Sequence, residues 1–136
     1  MPRYSYNREA ILACLRGTTT HPSAEWVFEQ LKPQIPDLSL GTVYRNLSQF
    51  KEQGEIISVG VVNGLERYDA RVEPHVHFIC NQCEAVLDLN SIAVPEALFT
   101  QAAEESGAQV TGCTVNLCGV CQECQKNKKI YGGNLL

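Results

Sequence analysis

Two clusters of cysteine mark the residues most able to do chemistry: Cys80-Asn81-Gln82-Cys83 and Cys118-Gly119-Val120-Cys121-Gln122-Glu123-Cys124. Each CxxC turn aims two sulfurs at one point, and two such turns brought together make a tetrahedral thiolate cage of the kind Zn²⁺ takes at about 2.3 Å. Such a cage is closed, so its role is structural. Cys118/Cys121 and Cys121/Cys124 are both CxxC pairs, and spacing leaves open which closes the cage with Cys80 and Cys83. A second set, His21, Asp69, His75, His77 and Asp88, offers imidazoles and carboxylates suited to Fe²⁺, Mn²⁺ or Zn²⁺ with a coordination position to spare. His75 and His77 stand two apart, so on a strand both rings leave one face. All three histidines of the chain fall in this set, and the function is expected there.

The 136 residues, 44% of them hydrophobic, suffice for one ordinary domain or two small ones. No apolar run approaches the ~18 residues of a membrane span, and Met1-Pro2-Arg3-Tyr4-Ser5 is not a signal sequence. A soluble, cytoplasmic protein without membrane partners is expected, in which seven cysteines read as metal ligands before disulfides. The net charge of −4 is unevenly spread. Residues 1–68 carry seven Lys/Arg and seven Asp/Glu, whereas 69–136 carry four against eight. A neutral first half can approach phosphates, and an acidic second half suits cation binding. The expected division is 1–70, a hinge at 71–74, and 75–136.

The first half reads as three helices and a hairpin. Ser5 is placed to cap a segment with Ile11, Leu12 and Leu15 inward that ends at Gly17. Ser23 caps Ala24–Lys32, where Ala24, Val27, Phe28 and Leu31 share a face. Ser39 caps Leu40–Gln53, with Leu40, Val43, Leu47 and Phe50 inward and Gly54 as terminator. Strands Ile56–Val62 and Leu65–Asp69 flank Asn63-Gly64, a type I′ hairpin signal. Three helices and a two-stranded wing give a winged helix, whose third helix would enter the major groove with Thr42, Tyr44, Arg45 and Asn46 toward base edges. Lys51 and Arg67 are candidate phosphate contacts. The second half reads as strands His77–Cys80, Ala85–Leu89 and Val110–Leu117, a helix from Pro95 to Ser106 ending at Gly107, and a polar tail over 125–136 with Lys126, Lys128 and Lys129 solvated. The fold class expected is α+β.

Five blocks then occur in order: His21-Pro22-Ser23-Ala24, Ser39-Leu40-Gly41-Thr42-Val43-Tyr44-Arg45-Asn46-Leu47, Arg67-Tyr68-Asp69, His75-Val76-His77-Phe78-Ile79-Cys80-Asn81-Gln82-Cys83 and Gly119-Val120-Cys121-Gln122-Glu123-Cys124. With these the chain resembles the ferric uptake regulator family over nearly its whole length. The resemblance implies a homodimeric, metal-dependent transcriptional repressor with an N-terminal winged helix-turn-helix domain and a C-terminal α/β dimerisation domain. It selects Cys80, Cys83, Cys121 and Cys124 for one structural Zn²⁺ per subunit, leaving Cys14, Cys113 and Cys118 spare. It assigns His21, Asp69, His75, His77 and Asp88 to one regulatory Fe²⁺ or Mn²⁺ per subunit. Asp88, where the iron-sensing branch has Glu, resembles the peroxide-sensing branch, which implies His21 and His75 as the side chains oxidised by peroxide on Fe²⁺.

A metal joining His21 to ligands beyond the hinge would staple the halves together and shift the population toward DNA-competent dimers. Turning 1:99 into 99:1 takes about 5.5 kcal/mol of differential binding. A two-fold dimer predicts double-stranded DNA with a palindromic operator as the partner. The sensor is consumed and does not turn over, so no enzyme activity and no catalytic residue are expected. The alternatives are an iron- or zinc-responsive uptake repressor of the same family and, from another class, a metallohydrolase using the His/Asp set to activate water. Relatives usually carry an extra helix ahead of Arg3–Leu15, so its DNA contacts are expected to be absent or replaced. Gly112-Cys113-Thr114-Val115-Asn116 stands where some members are His/Glu-rich, and no third metal site is expected.

Overall fold

The computed structural model describes residues 3–130, with side chains from Ser5 to Asn127; the side chains of Lys128 and Lys129 and the tail over 131–136 lie outside the described residues. The chain divides into two compact units, Met1–Val72 and Glu73–Leu136.

The first unit is α1 (Arg3–Arg16), α2 (Ala24–Leu31), α3 (Leu40–Glu52) and the antiparallel pair β1 (Ile57–Val62) and β2 (Leu65–Asp69). α1 runs through Ser5, which lies in its first turns and does not cap it. Ser23 and Ser39 do cap their helices, their hydroxyls accepting from the N–H of Trp26 at 3.2 Å and of Thr42 at 3.1 Å. Each satisfies a backbone donor that the first helical turn leaves without a partner. Ile11, Leu15, Val27, Val43, Leu47 and Phe50 are at most 2% exposed and form the centre of the core. Three helical stripes therefore meet in one place, and the opposite face of α3 is left outward. The hairpin turns on Asn63 (φ 52°) and Gly64 (φ 84°), the left-handed pair of a type I′ turn. A bulge at Val59 shifts the β1–β2 register between Ser58 and Gly60.

The second unit is β3 (Val76–Cys80), β4 (Val86–Leu89), α4 (Glu96–Ser106), β5 (Val115–Gly119) and α5 (Gln122–Ile130), with strands ordered β4-β3-β5. β3 pairs antiparallel with β4 and parallel with β5. α4 ends at Gly107 in the left-handed conformation (φ 72°). Two expectations are corrected. The last strand starts at Val115 and not Val110, because its pairing begins opposite Val76 and ends where Gly119 reaches Cys80. The polar segment after Cys121 is helical over Gln122–Ile130, where a tail was expected from 125.

Candidate metal centres and DNA-reading face

The thiolate cage is assembled by β3, the turn after it, and the junction of β5 with α5. Cys80 ends β3, and the turn is closed by the Cys80 N–H donating to Ala85 at 2.9 Å and by the left-handed Glu84 (φ 66°). Asn81 N–H donates to the Gly119 carbonyl at 2.7 Å and brings the two knuckles side by side. Cys121 precedes α5 and Cys124 lies in its first turn, so both sulfurs face the same way. The structure thus gathers Cys80, Cys83, Cys121 and Cys124, with all four sulfurs within 4.8 Å of one another. Cys118 sits exposed on β5 outside this cluster.

Zinc bound tetrahedrally at about 2.3 Å would hold its sulfurs about 3.8 Å apart. The Cys80–Cys124 and Cys83–Cys121 sulfurs are 3.8 and 3.7 Å apart, so the cage fits that ion. Backbone N–H groups of Cys83 and Cys121, and that of Gln82, hold the Cys80 thiol down at about 6 against the upward push of burial. Burial first, and then the neighbouring thiols, push Cys124 up to about 12. The lowered Cys80 thiol is the first ligand to ionise, and a cation bound beside it would drive off the Cys124 proton.

Each unit contributes its own share of the His/Asp residues. In the second unit, His77 faces Asp88 directly across the β3–β4 ladder, and His75, two residues earlier, shares that face. The Asp88 Oδ1 lies 3.2 Å from His75 Nε2 and 3.4 Å from His77 Nε2. Cis ligands on an ion with bonds near 2.1 Å stand about 3.0 Å apart, so three donors already surround one point. His75 Nδ1 lies 2.7 Å from the Glu73 carbonyl, which can only accept. That bond places the ring proton on Nδ1 and leaves the Nε2 lone pair for a metal. His75 and His77 are 6% and 1% exposed, which keeps water from most of the site.

In the first unit, His21 Nε2 lies 3.3 Å from Asp69 Oδ2, both residues being well covered. His21 precedes α2 and Asp69 ends β2, and the two segments are zipped together by Tyr68 N–H donating to the Pro22 carbonyl at 2.9 Å.

The outward face of α3 carries Thr42, Tyr44 and Arg45, with the Arg45 Nη2 3.1 Å from the Thr42 hydroxyl. Tyr44 donates to Glu25 Oε2 of α2 at 2.5 Å, a bond that raises the Tyr44 pKa. Glu25 has no motif to announce it, and the pairing emerges only from the packing of α2 on α3. Lys51 is exposed but ion-paired with Glu66 at 3.0 Å. Two of the expected DNA contacts, Asn46 and Arg67, are engaged within their own domain. Asn46 is 4% exposed and its amide donates to the Thr42 carbonyl of its own helix at 2.9 Å, because it lies three residues after Val43 and four before Phe50 on the buried stripe. Arg67 is partly buried, and its guanidinium donates to the backbone carbonyls of Thr20 (2.8 Å) and His21, so its charge is turned into the domain.

Residues 2–118 match the ferric uptake regulator family. The peroxide-responsive repressor PerR of Staphylococcus aureus is 32% identical over 123 residues, covering 90% of this chain and 82% of that protein. The Campylobacter jejuni peroxide stress regulator superposes with a TM-score of 0.76 at 27% identity, over 90% of this chain and 91% of that one. The iron-containing ferric uptake regulator of Francisella tularensis does so with 0.71 at 29% identity, over 92% and 93%. The family match takes in His21, Asp69, His75, His77 and Asp88, the winged helix and the first cysteine knuckle, and with it the chain belongs to the ferric uptake regulator family of metal-dependent, dimeric, DNA-binding transcriptional regulators.

Proposed function

We propose that the protein is a cytoplasmic repressor that releases a palindromic operator when peroxide oxidises its regulatory site. The proposed site draws on His21 and Asp69 together with His75, His77 and Asp88, and holds one Fe²⁺ or Mn²⁺ per subunit; Cys80, Cys83, Cys121 and Cys124 hold one structural Zn²⁺. The observation that carries this reading is the His75–His77–Asp88 cluster, in which the Glu73 carbonyl fixes the His75 tautomer so that Nε2 points at the carboxylate. The likeness to the Staphylococcus aureus peroxide-responsive repressor supports the peroxide branch over metal uptake. Membership in a family of regulators removes the metallohydrolase alternative.

Ferrous iron, when bound, would supply the chemistry that splits the peroxide O–O bond, one oxygen entering an imidazole C–H and the other leaving as water. His21 and His75 are the side chains proposed to take up oxygen, one atom each. An imidazole so oxidised is a poorer nitrogen donor, and its loss leaves Asp69 or Asp88 without the neighbour that completes the site. Ligands contributed from both units favour the arrangement that the ion requires, so losing one shifts the population away from it. Thr42, Tyr44 and Arg45 of α3 are the proposed base-reading side chains, in the order that helical spacing presents them to a groove.

The test is to load the zinc-containing dimer with Fe²⁺ without air, add stoichiometric peroxide, and weigh the peptides bearing His21 and His75. One added oxygen on either, absent with Mn²⁺, is the expected result. Unmodified histidines would return the protein to the metal-level repressors of the same family.

A further inference from the structure

His21 occupies a backbone conformation that a β-carbon resists: its φ is +55°, in the left-handed region that non-glycine residues rarely enter. No helix or strand enforces it, since the residue sits in the loop before α2. What addresses that loop is three consecutive residues of β2. The Arg67 guanidinium donates through Nη2 to the Thr20 carbonyl at 2.8 Å and through Nε to the His21 carbonyl. Tyr68 donates its N–H to the Pro22 carbonyl at 2.9 Å, and Asp69 places Oδ2 3.3 Å from His21 Nε2. Arg67 thus grips the peptide units on both sides of the histidine, and the strand that carries it also delivers the carboxylate beside that histidine.

We propose that Arg67 is a positioning residue for the regulatory ion, acting through His21 without touching metal or DNA; this rests on the assignment of His21 as a ligand above. The planar guanidinium suits the task because two N–H groups on one edge address two successive carbonyls at fixed separation, which the single ammonium of lysine cannot do. Without the clamp the 20–22 segment keeps the Tyr68 bond but loses the two that flank His21. The imidazole then samples directions that leave Asp69 behind.

The test is Mn²⁺ titration of the zinc-loaded dimer in the absence of DNA, following free Mn²⁺ by its spin resonance, for wild type, Arg67→Met, Arg67→Lys, His21→Ala and the Arg67→Met/His21→Ala double variant. Arg67→Met is expected to weaken Mn²⁺ at least tenfold, Arg67→Lys by nearly as much, and Arg67→Met to add nothing once His21 is alanine. The metal-free proteins are melted in parallel, with Trp26 fluorescence reporting the first unit; should Arg67→Met not fold, the same cycle is run with Arg67→Lys. Unchanged Mn²⁺ affinity in the Arg67 variants, or an equal loss with and without His21, overturns the proposal and leaves Arg67 a general stabiliser. Wild-type affinity in His21→Ala overturns it differently, by removing His21 from the ligands.

Discussion

Removing the zinc should unfold the second unit and leave the first standing. Among the described residues of the second unit, the buried aliphatic side chains are Val76 and Val86; the other buried positions are Cys80, Cys124, His75 and His77, all metal-ligand candidates. Burying two valines stabilises by about 3–6 kcal/mol. A structural zinc contributes an apparent ~10–16 kcal/mol in small zinc domains, against net stabilities of ~5–15 kcal/mol for ordinary domains. The metal therefore outweighs the apolar core of this unit, whereas the helical core of the first unit owes it nothing. Chelation under reducing conditions, or Cys83→Ser, is the perturbation. Hydrogen exchange read by mass spectrometry should show Val76–Cys80 and Val115–Gly119 losing protection, while the thermal transition of Trp26, the single tryptophan, stays in place. Strands that remain protected in zinc-free protein would refute the reasoning and transfer their stability to the dimer contact.

Arg45→Ala should weaken operator binding by about 1–3 kcal/mol while leaving random DNA nearly unaffected, as read by fluorescence anisotropy; equal losses on both would make Arg45 a phosphate contact. Asn46→Ala should do the reverse, costing about 1 kcal/mol of stability through its lost buried hydrogen bond and leaving the operator-to-random ratio unchanged. Gly64→Ala forces a β-carbon into φ +84° and should destabilise the hairpin by about 1 kcal/mol, measurable in the Trp26 melt. Glu66 is held below the usual carboxylate range: desolvation pushes it up, but hydrogen bonds from Ser58, Lys51 and Tyr68 outweigh that. Its stabilisation is present above its unfolded pKa and is lost as pH falls through the lower folded one, so the melting temperature of the first unit should drop on acidification below about pH 4.5, less steeply in Glu66→Gln.

The parts of the fold written in local chemistry were legible. Ser23 and Ser39 cap, Gly54 and Gly107 terminate, and Asn63-Gly64 turns, each because a backbone requirement selects the residue type. Spacing also announced that Cys80 and Cys83 share a turn and that His75 and His77 share a face of β3, while the choice of Cys121 and Cys124 over Cys118 came from the family motif. What escaped depends on neighbours. Asn46 reads as surface by polarity and as core by position, and position wins because one buried amide bond satisfies its donor. Arg67 and Glu25 reveal their partners only after β2 meets the loop before α2 and α2 meets α3. α5 has no apolar stripe, so periodicity was silent where the cysteine knuckle starts the helix.

The parallel pairing of β3 with β5 bears on how the protein matures. It joins Val76 to Val115 and Ile79 to Cys118, partners 39 residues apart. Closing a loop of that length costs about 3 kcal/mol of chain entropy before any contact repays it. Helices α1 to α3 make their contacts nearby in sequence and are free to form while the rest of the chain is still emerging from the ribosome. The second unit must wait for Cys80 and Cys83 to meet Cys121 and Cys124, about 40 residues later in the sequence. Capture of the ion by all four sulfurs closes the long loop at the end of the sheet where both strands stop. The pace at which a newly made chain matures is therefore set by zinc supply, a different metal from the one proposed for its regulatory site.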